Sequence, residues 1–344
     1  MKCIVLAGGG GLRLWPLSRR QCPKQFLKIG SSFTMLEETI FRNQKYVDDF
    51  TLVTNEEYCL TIEKILDKHS DISFNMLLET IGRNTAPAIA LAALTSKPDD
   101  ILFVVPADAK IEAGDKYSSA VAEAKKLAED NSIVTFGVKP TSANVGYGYI
   151  KYQNNNVIEF KEKPRAEIAE QYFKSGEYLW NCGMFMFKSK VFLDELKKFR
   201  NDIYSGCMDL AEKLDEKRFK LLPKDDLLKI PAESVDYAVM EKSDKVKVVP
   251  CDFAWNDIGG LESLCETVAT ADSDGNRTLG SSVILNNCNN VNVINEQKDK
   301  IIVVNGLEDI IITNTNDAIY ITKQGHSQDI KSIIEKNKDY NNFY

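Results

Sequence analysis

MKCIVLAGGGGLRLWPLSRRQCPKQFLKI, residues 1–29, is the stretch on which the fold reading turns. Its short apolar run Cys3–Leu6 predicts a buried strand. The strand runs directly into Ala7-Gly8-Gly9-Gly10-Gly11-Leu12-Arg13. Four successive glycines leave the backbone unshielded, so amides can approach phosphate oxygens closely. Two familiar phosphate motifs fail here. Read as G-x-G-x-x-G from Gly8, the loop puts Arg13 at the third glycine; read as a P-loop, it puts Arg13 at the second, and no Lys-Ser/Thr pair follows. The glycines alone fit a flexible turn. Arg13, with Lys24 in Pro23-Lys24-Gln25, adds a guanidinium and an ammonium, and a triphosphate needs all three features. Taken singly, either charge reads as a solvated surface side chain.

Outward from this loop, short apolar runs alternate with helical patterns. Thr51–Val53, Phe74–Leu78, Ile101–Val105 and Ile133–Phe136 read as further buried strands. Met35–Asn43, Glu56–Lys68, Ala86–Leu94 and Lys116–Asp130 have helical length and spacing. Such alternation predicts an α/β fold, a parallel sheet with helices on both faces. Ligands in such sheets bind at the carboxyl ends of the strands. Farther on, Tyr147–Lys151 and Val157–Lys161 look like a hairpin across Asn154-Asn155-Asn156. Trp180–Phe187 and Val246–Val249 are further strands, and Pro231–Lys242 starts like a helix.

The texture changes after Ala271. DSDGNRTLG opens a linker, set at 271–278, between a catalytic domain over 1–270 and a smaller β-rich domain over 279–344. Val283–Leu285, Val291–Ile294, Ile301–Val304, Ile310–Ile312 and Ile319–Ile321 recur at about 8–10 residues, as short stacked strands require. A β-helix-like domain and a small antiparallel sheet both satisfy this pattern. Ser327–Lys338 reads as a closing helix.

Composition excludes several classes. With 344 residues, 44% apolar and 27% charged, the chain is an ordinary globular protein. A net charge of −7 does not by itself exclude nucleic acid, but no basic run or aromatic-basic patch suggests it. No run of about 18 apolar residues suggests a membrane span, and the amino terminus lacks a signal peptide's apolar core and cleavage site. The eight cysteines show no C-x-x-C spacing, so free thiols and a reducing, cytoplasmic location are expected. Two histidines, His69 and His326, make zinc or Ser-His-Asp chemistry a poor reading.

Two aspartates suit a magnesium ion. Asp108 follows a strand in Phe-Val-Val-Pro-Ala-Asp, where ligands are expected. Asp257 sits in Trp255-Asn256-Asp257-Ile258-Gly259. Mg²⁺ is held by one or two carboxylates together with phosphate oxygens and waters; the ordinary alternative for each aspartate is a helix cap. Asp272-Ser273-Asp274 spells a D-x-D motif but lies in the linker, and Arg277 blocks a calcium loop there.

LAGGGGLRLWPLSRRQCPKQFLKI, residues 6–29, resembles the signature of sugar-nucleotide pyrophosphorylases, and its Trp-Pro-Leu-Ser and Pro-Lys-Gln-Phe-Leu pieces resemble the mannose-1-phosphate guanylyltransferase branch. That family usually has Ser, Thr and His where this chain has Gly10, Leu12 and Ala109. The resemblance implies a Rossmann-like mixed sheet. It implies transfer of GMP from GTP to mannose 1-phosphate, with pyrophosphate released and Mg²⁺ as cofactor on Asp108 and Asp257. It gives Arg13 and Lys24 the stabilisation of the reacting phosphates, with Leu6, Ala7 and Gly8 to Gly11 around the nucleotide. Arg83-Asn84-Thr85-Ala86-Pro87 resembles the base-recognition segment, so Asn84 and Thr85 are assigned to the base; helix capping is the alternative for both. Gly146, Gly148, Glu162, Lys163 and Asn181 match the sugar-1-phosphate site, a mix of donors, acceptors and one cation. Another sugar 1-phosphate, such as a heptose 1-phosphate, and a regulatory subunit without turnover are the alternatives. A homodimer assembled through the C-terminal segment is expected. Longer bifunctional members of the branch carry an isomerase domain, and no isomerase activity is expected of this chain.

Overall fold

The computed structural model describes residues 1–215 and 217–337. The chain forms two compact bodies. The first comprises Met1–Gly8, Thr39–Ala107 and Ile111–Trp255; the second comprises Gly9–Glu38, Asp108–Lys110 and the chain from Asn256 on.

The first body is built on a ten-stranded mixed sheet. Its order is Phe219–Leu222, Phe74–Glu79, Asp49–Asn55, Lys2–Leu6, Ile101–Pro106, Tyr178–Lys188, Ile133–Val138, Val246–Cys251, Asn156–Lys161 and Tyr149–Gln153. The first five run parallel, register Leu6↔Val53 and Leu6↔Pro106 fixing the ends of the central three. All the strands read from the amino-terminal half are present. The parallel run is nevertheless interrupted: Tyr178–Lys188 inserts antiparallel between Ile101–Pro106 and Ile133–Val138. Its first residues also pair with Tyr149–Lys151, so this long strand joins both parts of the sheet. The helix Thr85–Leu94, TAPAIALAAL, is buried from Ala86 to Ala93, so it lacks a polar face because it has no solvent face. Asn154 and Asn155 take φ +48° and +65°, which makes the hairpin turn that their sequence predicts.

One sequence expectation is corrected here, and one strand is added. Pro231–Lys242 is not one helix; it contains a π-helical turn, Asp236–Met240. Phe219–Leu222 is a strand that the apolar pattern did not single out, because it is short and only Leu222 is fully buried.

In the second body, Leu14, Ile29 and Met35 pack with Ile258, Leu261, Leu264, Ile294, Ile311, Tyr320, Ile330 and Ile334 in one apolar core. The division therefore does not follow the expected boundary at residue 270. The glycine loop and its flanking turns fold with the carboxyl-terminal strands because they share this core. The expected linker ends in a strand, Arg277–Gly280, paired in parallel with Asn292–Asn295, which pairs in turn with Ile310–Asn314. Val283–Asn286 pairs in parallel with Ile302–Asn305. Parallel pairing of every second short strand is the stacked, β-helix-like alternative; Ile319–Lys323 then ends the stack antiparallel. A 3₁₀ turn, Ser327–Asp329, leads into the helix Ile330–Lys336; Lys338, the expected helix end, lies outside the described residues. No helix among the described residues is long and apolar enough to cross a membrane.

Gly280 lies tightly against the neighbouring strand at Asn295. Its φ is +95°, and a Cβ there would overlap the carbonyl oxygen of Asn295. Gly280→Ala should destabilise by more than about 1 kcal/mol, seen as a lowered midpoint in thermal melting; an unchanged midpoint would contradict the close packing.

Candidate active site

Three of the charged residues read from the sequence, Lys24, Asp108 and Asp257, meet within the second body. Pro23 ends an extended segment and Lys24 opens the 3₁₀ turn Lys24–Phe26. The Lys24 side chain is buried, and its Nζ donates to Asp108 Oδ2 at 3.1 Å and to the carbonyl oxygen of Asp257. An ammonium thus sits between the Asp108 carboxylate and the main-chain carbonyl of Asp257. Gly259 makes room for the second carboxylate: a Cβ there would lie 3.2 Å from Asp257 Oδ2. Asn256 Oδ1 accepts from the amide of Ile258 at 2.7 Å, and Ile258 has φ +46°. A β-branched residue in that region is strained, and such strain concentrates at functional sites. The Asp108 and Asp257 carboxylates, without His or Cys, are hard oxygen donors of the kind that Mg²⁺ takes together with phosphate oxygens and water.

The glycine loop divides by role. The amide of Ala7 donates to Val53 O at 2.8 Å, Ala7 O accepts from Thr54 Oγ1, and Leu6 O accepts from the Ala107 amide. Leu6 and Ala7 are therefore tied into the sheet of the first body. Gly8, Gly9 and Gly10 are exposed, and a Cβ at Gly9 or Gly10 would meet open space. Gly11 is different: it has φ +55°, and a Cβ would fall 2.6 Å from the backbone nitrogen of Lys24. Ser18 Oγ donates to Gly11 O, and Gln25 Nε2 to Gly9 O at 3.2 Å, so the loop is laced to the Lys24 turn. Arg13, in the 3₁₀ turn Leu12–Leu14, is exposed.

The sugar-phosphate residues belong to the first body, and four of the five are brought together. The amide of Asn181 donates to Gly148 O at 2.8 Å, and Gly148 abuts Glu162 so closely that any Cβ would strike Glu162 Oε2. Glu162 is buried and its Oε1 pairs with Lys163 Nζ at 2.9 Å. Burial lowers the pKa of Lys163, but the hydrogen bond and charge of Glu162 outweigh it and leave the ammonium's pKa raised. Lys163 itself has φ +46°, another strained non-glycine backbone. Gly146 stands apart in the exposed loop, its amide bonded to Asn144 Oδ1 at 2.8 Å.

Of Asn84 and Thr85, only Asn84 is a helix cap, and the Thr85 side chain bonds across to another segment. Asn84 caps the helix Thr85–Leu94 with Oδ1 on the Thr85 amide at 2.8 Å, and Thr85 Oγ1 accepts from the Val235 amide at 2.8 Å.

A sequence profile described as Nucleotidyl transferase matches residues 2–273. The chain belongs to the nucleotidyl transferase family. The mannose-1-phosphate guanylyltransferase of Salmonella montevideo is 39% identical over 350 residues, covering 97% of this chain and 73% of that protein. The Escherichia coli protein of the same name is also 39% identical, over 348 residues. Among solved structures, a Thermus thermophilus protein described as mannose-1-phosphate geranyltransferase superimposes with a TM-score of 0.85 at 26% identity, covering 98% of this chain and 99% of that one. A Helicobacter pylori protein described as mannose-6-phosphate isomerase matches with a TM-score of 0.68 at 35% identity, covering 74% of this chain and 98% of that one.

Sequence reasoning gave no role to three polar side chains of this nucleotidyl transferase. Glu79, at the carboxyl end of its strand, is buried with Oε1 unpartnered among the described residues, and burial pushes its carboxyl up to about 7. Thr135 donates to Asn181 Oδ1 at 3.0 Å. Asp236 accepts from Asn181 Nδ2 at 3.0 Å. Each lies in or beside a segment read only as a strand or a helix, and such a reading does not say which side chain faces a site.

Proposed function

We propose that this nucleotidyl transferase is a mannose-1-phosphate guanylyltransferase, transferring GMP from GTP to α-D-mannose 1-phosphate and releasing pyrophosphate. The observation that carries this reading is 39% identity, over 97% of the chain, to a curated protein of that name. In the reaction, a phosphate oxygen of the sugar 1-phosphate forms a bond to the α-phosphorus of GTP. The bond from that phosphorus to the bridging oxygen breaks, and pyrophosphate leaves with the electron pair. The nucleophile is already anionic, so no general base is required. Positioning and stabilisation of charge supply the catalysis.

Lys24 and Arg13 have the charge for the reacting phosphates, and the open Gly8–Gly10 backbone suits close approach of the triphosphate. Asp108 and Asp257 would hold Mg²⁺, which when bound neutralises phosphate charge. Glu162 and Asn181 would bond sugar hydroxyls, Lys163 the sugar phosphate, and Asn84 and Thr85 lie on the base side. The reading includes a cytoplasmic homodimer. Ile301, Val303, Ile319 and Ile321, exposed at 60–65%, give the carboxyl-terminal strands an apolar face that supports assembly. Light scattering should give twice the chain mass at micromolar concentration; a monomer there would remove the dimer.

A pyrophosphate-release screen of the common NTPs against a panel of sugar 1-phosphates tests the function. GTP with mannose 1-phosphate should give the highest kcat/KM. A higher value for a heptose 1-phosphate, or no turnover with any pair, would replace this reading.

A further inference from the structure

Asn181 lies at a break in its strand. Gly183 has φ +69°, and the pairing with Ile133–Val138 shifts register between Thr135 and Gly137. The break brings the Gly183 amide to 3.1 Å from Asn181 Oδ1, which also accepts from Thr135 Oγ1. A backbone amide can only donate, so the atom facing it is the oxygen of Asn181. Nδ2 is then the atom that donates to Asp236 Oδ1. An amide NH₂ has two hydrogens, and one is left. Asn181 thus meets a ligand hydroxyl as a donor, whereas Glu162 beside it accepts.

We propose that Asp236 is a positioning residue: it locks Asn181 in this donor orientation, and its charge state sets affinity for the sugar 1-phosphate. The proposal rests on the sugar-site reading given above. Asp236 heads the π-helical turn Asp236–Met240, and such turns recur at functional sites. The turn is pinned from outside, since the neighbouring Val235 amide donates to Thr85 Oγ1.

The charged and titratable groups around Asp236 are Glu162, Lys163 and Tyr237, with Glu241 beyond, where its Oε1 accepts from the Glu162 amide at 2.9 Å. Lys163 is the cation of this set. Desolvation, and then the charge of Glu162, push the Asp236 carboxyl up to about 7. Below that pH Asp236 is neutral, and Lys163 faces the single negative charge of Glu162. Above it a second carboxylate opposes the incoming phosphate. Affinity for the sugar phosphate therefore falls as pH rises through neutrality. The phosphate's own second ionisation, at about 6, acts in the opposite direction.

The test is KM for mannose 1-phosphate and for GTP, from about pH 6.5 to about pH 8.5, for the wild type, Asp236→Asn, Asp236→Ala and Lys163→Met. The wild-type KM for mannose 1-phosphate should rise about fivefold to tenfold across that range. Asp236→Asn keeps the acceptor for Asn181 and removes the titration, so its KM should stay flat. Asp236→Ala loses the acceptor and should raise that KM about tenfold at every pH, with KM for GTP within about twofold. Asp236→Asn reports the pH slope even where Asp236→Ala does not fold. A wild-type slope in Asp236→Asn, with KM raised in Lys163→Met, would overturn the role of Asp236 alone. An unchanged KM in Lys163→Met would overturn the sugar-site reading and this proposal with it.

Discussion

Lys24→Met should lower kcat by about 10²–10³, the cost of removing about 2.7–4 kcal/mol of charge stabilisation from a transition state. Methionine matches the length of the lysine stem and lacks its charge. The effect is expected in kcat because negative charge on the phosphates is redistributed as pyrophosphate departs, and a fixed cation matters most then. Lys24 is well placed to be fixed. Its side chain is buried, and Asp108 Oδ2 and the Asp257 carbonyl oxygen hold its Nζ. Arg13→Ala should follow the same pattern more weakly, since Arg13 is exposed and a mobile guanidinium must be ordered by substrate. Steady-state kinetics with GTP decide the matter. An unchanged kcat with only KM raised would make both residues ground-state binders.

Asp257→Asn and Asp108→Asn should each raise the Mg²⁺ concentration for half-maximal activity by at least about tenfold. Asparagine keeps size and removes charge, and at Asp257 it also keeps the backbone carbonyl that Lys24 uses. Asp257→Asn therefore isolates the carboxylate. Asp108→Asn additionally removes the ion pair with Lys24, so its kcat should fall further than that of Asp257→Asn. Titrating Mg²⁺ against initial rate measures both effects. Near-wild-type turnover of both variants at limiting Mg²⁺ would remove the metal assignment.

Local pattern carried much of this fold. Ile101–Val105 and Phe74–Leu78 are apolar runs of strand length, and each became a buried strand within a residue of its expected ends. The stacked carboxyl-terminal strands were equally legible as apolar runs; the direction of their pairing was not, because parallel and antiparallel partners need the same residues. The interruption by Tyr178–Lys188 is a long-range pairing, to Ile101–Val104 on one side and Val134–Thr135 on the other, which no local period encodes. The division into bodies was hidden for the same reason. Leu14 and Ile330 share a core although they are distant in sequence. At the site, Lys24, Asp108 and Asp257 were legible one by one; only the family resemblance put the two aspartates together, and the contact of Lys24 with Asp108 was not foreseen. Asp236 was invisible because its importance lies in what it does to Asn181, a contact spanning 55 positions.

The most direct measurement is product identification by phosphorus NMR after incubation with GTP, mannose 1-phosphate and Mg²⁺. The account predicts GDP-mannose and pyrophosphate in equal amounts, and no loss of GTP when mannose 1-phosphate is left out. Release of GDP and inorganic phosphate, or an unchanged mixture from a preparation that turns over a different NTP and sugar phosphate, would contradict it.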